Sequence, residues 1–275
     1  MLTLPLESQR IVTFIWPPVQ GNKIRELKFQ IDKTDTEHNS RQIHILCNGK
    51  VKVLDWDSGV GNYNNPLELI DELIDKRRRK EASKHLYFLT KKLISNGNGT
   101  VNAHLLREIF LRLSIISQKE RDWESALNHS LFASELDPES SIAHEYVANC
   151  CRHSNKPLES VQFAEQAVYD HEANPRSRIE LAYAYRSYSL PRLALEHARK
   201  AVDLDSTKAS SYVTLAEVFI DLEDYDKASE VLKTGLKKLQ SYEYTHLLFF
   251  IRGLGRSEKL WDKPEILEKF FTFAA

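Results

Sequence analysis

The sequence predicts a mainly α chain: a series of stacked helix pairs, an α-solenoid, preceded by a small antiparallel β module. Three observations carry that prediction. Small residues return in phase every 34 residues between 107 and 242. Period-2 alternation of apolar and polar residues is confined to residues 10–56. Gly and Pro number nine each in 275 residues, too few for a turn-rich all-β protein.

The β module is expected over 1–62. Ile11 to Trp16 is apolar on both faces and suits a buried strand. Pro17-Pro18 ends it, because proline offers no N–H to a ladder. Leu27, Phe29 and Ile31 alternate with Lys28 and Gln30, Ile43 and Ile45 with Gln42 and His44, and Val51 and Val53 with Lys50 and Lys52. Asn48-Gly49 between the last two runs tolerates the positive φ of a type I′ hairpin turn. Residues 32–41 are polar and read as a loop. About four strands in one antiparallel sheet follow, too few residues for a sizeable core of their own.

Connecting helices are expected over 63–100. Leu67, Ile70, Leu73 and Ile74 recur at helical spacing, as do Leu86, Leu89 and Leu93, and Asn96-Gly97-Asn98-Gly99 ends the segment. Inside it lies the basic run Lys76, Arg77, Arg78, Arg79 and Lys80. One reading is a nuclear import signal or a patch for phosphate-rich partners. The plainer reading is a solvated helix surface, balanced by Asp71, Glu72, Asp75 and Glu81, since five consecutive residues wrap around a helix.

Over 101–275 the 34-residue windows begin at 107, 141, 175 and 209. Position 8 holds Ser114, Ala148, Ala182 and Ala216; position 20 holds Ala126, Ser160, Ala194 and Ala228; position 27 holds Ala133, Ala167, Ala201 and Gly235. Larger residues such as Phe110, Leu113, Tyr185, Tyr212, Leu215 and Phe219 stand at positions 4, 7 and 11. Small residues let two helix axes approach, where a Leu would overpack the pair by about 1–3 kcal/mol. One pair cannot bury its own apolar face, so several must stack. Leu247, Leu248, Phe249, Phe250, Phe270, Phe271 and Phe273 are expected to cap the last pair, with Pro264 in the first turn of a final helix.

This pattern resembles the tetratricopeptide repeat (TPR) family. The resemblance implies a concave groove that takes an extended peptide or a partner helix, lined mainly from positions 2, 5, 9, 12 and 13. Carried onto this sequence, those positions give Glu145, Asn149, Arg152 and His153, then Arg176, Ile179, Tyr183 and Arg186, then Val213, Glu217 and Asp221. Of these, Glu145, Asn149, Arg152, Arg176, Tyr183, Arg186 and Glu217 are the site residues expected to bind a partner. The three arginines would face acidic groups, with Tyr183 as an aromatic anchor. The Lys and Asn set with which one subgroup grips chaperone carboxylates is not met in either register, so no tight binding of a free Glu-Glu-Val-Asp tail is expected.

Composition bounds the function further. Lys+Arg total 38 against 39 Asp+Glu, which does not favour a nucleic-acid binder. Three cysteines, Cys47, Cys150 and Cys151, make no disulfide framework and suit a reducing compartment. No signal peptide or bilayer-spanning run is read, so a cytoplasmic protein is expected, with nuclear entry through the basic run as the variant. Phosphate-binding loop, nucleophile elbow and His-Glu-x-x-His patterns are missing from the sequence, and Cys150-Cys151 point about 100° apart on a helix. The expectation is therefore a non-enzymatic scaffold or adaptor for protein or peptide partners, without cofactor, metal or small-molecule substrate. The alternatives are a trafficking or complex-assembly adaptor using both β module and solenoid, and a nucleic-acid-associated factor using residues 76–80.

Overall fold

The computed structural model describes residues 9–15, 26–32, 43–47, 50–55, 67–95 and 100–272. The predicted features at Pro17-Pro18, Asn48-Gly49, Asn96 to Gly99 and Phe273, and the predicted loop beyond Asp32, lie outside them. Two compact units form, 1–138 and 139–275, dividing two residues before the end of the first 34-residue window.

In the first unit, β1 (Gln9–Ile15) pairs antiparallel with β2 (Glu26–Asp32), Val12 opposite Phe29. Likewise β3 (Ile43–Cys47) pairs antiparallel with β4 (Lys50–Asp55), Cys47 opposite Lys50. The described strands thus do not form one four-stranded antiparallel sheet. They form a two-stranded sheet and a three-stranded one, completed by β5 (Thr100–Asn102) running parallel to β4. The direction follows from the connection: β4 reaches β5 through α1 (Glu68–Asp75) and α2 (Arg79–Ser95), and a helical crossover returns a chain parallel.

The basic run does not wrap around one helix, contrary to expectation. It straddles the α1–α2 turn, where Arg77 has φ 60° and the Arg78 N–H reaches the Leu73 carbonyl at 2.8 Å. Lys76 pairs with Glu72, Arg78 with Glu81, and Arg79 donates to the Lys119 carbonyl, while Arg77 and Lys80 are exposed. In the same unit α3 (Ala103–Glu120) and α4 (Trp123–Leu136) form an antiparallel pair. Arg112 of α3 holds α1 through two 2.8 Å bonds to Asp71. His129 is buried against Phe110, and burial lowers its pKa to about 4.

The second unit repeats that pair. Its helices are α5 (Ser141–His153), α6 (Pro157–Asp170), α7 (Pro175–Ser187), α8 (Pro191–Leu204), α9 (Ala209–Asp221) and α10 (Tyr225–Lys238). Starts are set locally: Ser140, Asn174 and Asp224 accept hydrogen bonds from first-turn N–H groups, and Pro157, Pro175 and Pro191 need none. The turn inside each pair is the same as well. Arg121, Asn155, Ser189 and Glu223, 34 residues apart, have φ of 57–61°. The residue after each donates back across six residues, as Lys156 to the Cys151 carbonyl at 2.9 Å and Leu190 to that of Tyr185 at 2.8 Å.

Positions 8, 20 and 27 are buried throughout, as their size predicts. Where serine replaces alanine, the hydroxyl spans the gap: Ser114 donates to the Ala126 carbonyl at 3.0 Å, and Ser160 to that of Ala148 at 2.8 Å. Position 4 departs from the apolar expectation. His144 bonds Asp170 at 2.7 Å between buried side chains, and Arg178 is held by the Glu172 carbonyl and His197. At Gly235 a Cβ would lie 2.7 Å from Leu247 and 2.9 Å from Tyr212. The stack ends in α11 (Ser241–Gly253), a 3₁₀ turn (Leu254–Arg256) and α12 (Pro264–Phe271). Leu247 and Phe270 are buried there, but Phe249 is 67% exposed and Phe271 37%, so the expected cap is partial.

Candidate functional site

Helices α5, α7 and α9 lie side by side and share one face. Because they are related by the repeat, side chains on that face recurrently meet the residue 31 places further on. Arg176 Nε lies 2.9 Å from Glu145 Oε2. Asn149 Nδ2 donates to Glu180 at 3.5 Å. The Arg152 guanidinium sits 5.2 Å from the Tyr183 ring centre, and Arg186 Nη1 donates to Glu217 at 2.7 Å. Tyr183 also lies beside Thr214, again 31 places on.

The ladder has further rungs. Glu145 Oε1 accepts from Ser177 at 2.6 Å and Asn174 at 2.9 Å. Arg186 places its guanidinium 5.5 Å from the Tyr183 ring, so that ring lies between two arginines. The same Arg186 donates to Asp221, which also pairs with Lys259. Arg176 lies 5.0 Å from the Tyr146 ring.

Charges on this face are tuned by that packing. Burial pushes the Glu145 carboxyl up, with Ser177, Arg176 and Asn174 opposing it. Burial raises Glu180 too, against the pull of Arg152 and Arg176. Burial also opposes the charge on Asp221, but Arg186 and Lys259 outweigh it and hold that carboxyl below its usual range.

All seven predicted partner-binding residues come together around one face, but Glu145 is only 1% exposed and lies beneath it, holding Arg176, Ser177 and Asn174 rather than meeting a partner. Two of the three arginines are not free cations awaiting an acid, as the sequence pattern suggests. Arg176 and Arg186 are committed to Glu145, Glu217 and Asp221, and of the three only Arg152 has no ion pair among the described residues. Ile179, expected to line the groove, is 8% exposed and belongs to the core. Sequence reasoning alone misses Tyr146, Glu180 and Thr214. The signal that finds them is the 31-residue offset, one repeat less about one helical turn, at which complementary side chains recur.

The five basic residues at 76–80 lie in the first unit and take no part in this ladder. Among the described residues no three His, Cys, Asp or Glu converge as metal ligands would, and no helix is long and apolar enough to cross a membrane. Cys150 and Cys151 are buried in the core, and burial raises the Cys151 pKa to about 12.

No family model matches the chain. The curated Sol locus transcriptional repressor of Clostridium acetobutylicum is 28% identical over 111 residues, 40% of this chain. The match spans about one third of that relative's length, 32%. Among solved structures, a thermophilic TPR protein of Thermus thermophilus superposes with a TM-score of 0.56 at 14% identity, over 69% of this chain and 97% of its own. A tetratricopeptide repeat protein of Parabacteroides merdae gives 0.54 at 12% identity, over 78% and 80%. These likenesses concern the helix pairs and lend no support to the N-terminal β module. With the period, the shared turn and the buried small positions, they show that this chain has the tetratricopeptide-repeat fold.

Proposed function

We propose that this chain is a protein-interaction scaffold that holds an extended partner segment across α5, α7 and α9, without catalysis of its own. The observation that carries the reading is the ordered ladder on that face. Tyr146, Asn149, Arg152 and Tyr183 present aromatic and polar groups whose rotamers are already fixed by neighbours, so little side-chain entropy is lost on binding. Arg152, which has no direct ion pair among the described residues and only pulls on nearby Glu180, is the cation best placed to meet an acidic side chain of the partner.

The test must spare the internal pairs. Arg186→Glu would set a third carboxylate beside Glu217 and Asp221 and unfold the face it probes. Tyr146→Ala with Arg152→Ala removes contact surface and no ion pair. Affinity purification with mass spectrometry should then lose the partners recovered by the parent chain, at an unchanged thermal melt. Recovery of the same partners would sink the groove reading.

A second reading, contact with nucleic acid, is favoured only by the name of the curated relative. Three of the five basic residues at 76–80 are engaged within the chain, leaving Arg77 and Lys80 to meet phosphates. Binding to duplex DNA that weakens with salt and disappears in Arg77→Ala with Lys80→Ala would support it. A complex-assembly role using the β strands as well rests on the same scaffold reading and adds the strand edges as a second surface.

A further inference from the structure

Helix α8 carries a charged stripe that the groove reading does not use. Arg192, Glu196, Arg199 and Asp203 are spaced by four, three and four residues, which places all four within about 60° on the helix and spreads them over about 16 Å. Each is exposed. Among the described residues none of the four finds a hydrogen-bond or ion-pair partner, Arg199 having only a ring contact 5.8 Å from the Phe219 centre, in a unit where the acids and bases of α5, α7 and α9 are largely paired. The stripe, with Leu195 and Lys200, forms one wall of an open depression of about 550 Å³.

The order of signs decides what fits it. Read along the helix the stripe is plus, minus, plus, minus; read backwards it is minus, plus, minus, plus. An identical helix laid antiparallel therefore places Arg192 against Asp203 of the other copy and Glu196 against Arg199, and the same contacts in reverse. Every charge meets its opposite, and the arrangement is its own partner under a two-fold axis. A parallel copy would set like charges together, so the pattern also fixes orientation.

We propose that the α8 face is a self-association surface, on which a second copy of this chain docks antiparallel through these four residues. The opposite side of each helix pair stays available to other partners.

Sedimentation equilibrium on the full chain tests this at low and high salt. The parent chain should approach twice the monomer mass at micromolar concentration in low salt and return to monomer in about 0.5 M salt, since the contacts are exposed ion pairs. Arg192→Glu with Arg199→Glu makes the stripe wholly acidic. Glu196→Arg with Asp203→Arg makes it wholly basic. Each variant alone should remain monomeric at an unchanged thermal melt, and an equimolar mixture should recover the dimer mass. A parent chain that is monomeric throughout, a dimer insensitive to either variant, or a mixture that fails to associate would each overturn the proposal. An unrelated helical partner occupying this face would leave the parent chain monomeric and count against it in the same way.

Discussion

At the scale of single residues, two positions show how little slack the helix pairs leave. Gly235 fills a place where the repeat elsewhere has alanine, because Leu247 and Tyr212 lie where a methyl group would be. Both neighbours are large and buried, so neither withdraws freely. Gly235→Ala should cost about 2 kcal/mol in urea denaturation, whereas Ala201→Gly at the same repeat position should cost only about 1 kcal/mol, for lost helix propensity. His129 shows the electrostatic side of burial. Its folded-state pKa of about 4 lies below the free value of 6.5, so its contribution is fully present above pH 6.5. Stability should fall as pH drops from about 6.5 through about 4, by up to roughly 3 kcal/mol from this group. His129→Leu should flatten the profile of chemical denaturation over that window; an unchanged slope would show that other groups govern it. Neither effect is legible in the sequence, where Gly235 reads as one more small residue and His129 as a polar position on a helix.

At the scale of elements, the helix pairs are readable because their signals are local and repeated. Small residues at positions 8, 20 and 27, prolines at first turns and Ser, Asn or Asp before helices each act within a few residues. The turns are less readable. Four left-handed residues stand where glycine would announce itself, and only Asn155 is of a type that tolerates the conformation readily. The backbone bond across six residues and the packing of both helices hold the others there. Glu223→Gly and Ser189→Gly should each stabilise by about 0.5–1 kcal/mol in thermal melts, and Asn155→Gly by distinctly less. β5 escapes sequence reasoning for another reason: three residues carry no period, and its pairing with β4 is made by two intervening helices.

At the scale of the whole molecule, the second unit is closed by helices that follow its last repeat. There Leu232, Leu247, Ile251 and Phe270 form the final layer of a core that runs back to Ala182. A chain ended after Leu239 would bare Tyr212, Leu232 and Gly235 together. It should lose most of the cooperativity of that unit's melt and bind a hydrophobic dye, while retaining helical circular dichroism. The shared face of α5, α7 and α9 is only half legible. Its residues follow from repeat positions, but their mutual pairing needs the stagger of neighbouring helices, which turns a 34-residue period into a 31-residue contact.

The shared turn has one more consequence. Asn155, Ser189 and Glu223 are all exposed and stand 34 residues apart in one unit. They are graduations on a ruler. Spin labels attached in pairs at these three points, in a chain with Cys47 replaced by serine and with Cys150 and Cys151 shielded in the core, would report the spacing of successive layers. Occupation of the inner face would then be read as a stretch or a contraction of the outer scale, before any partner is named.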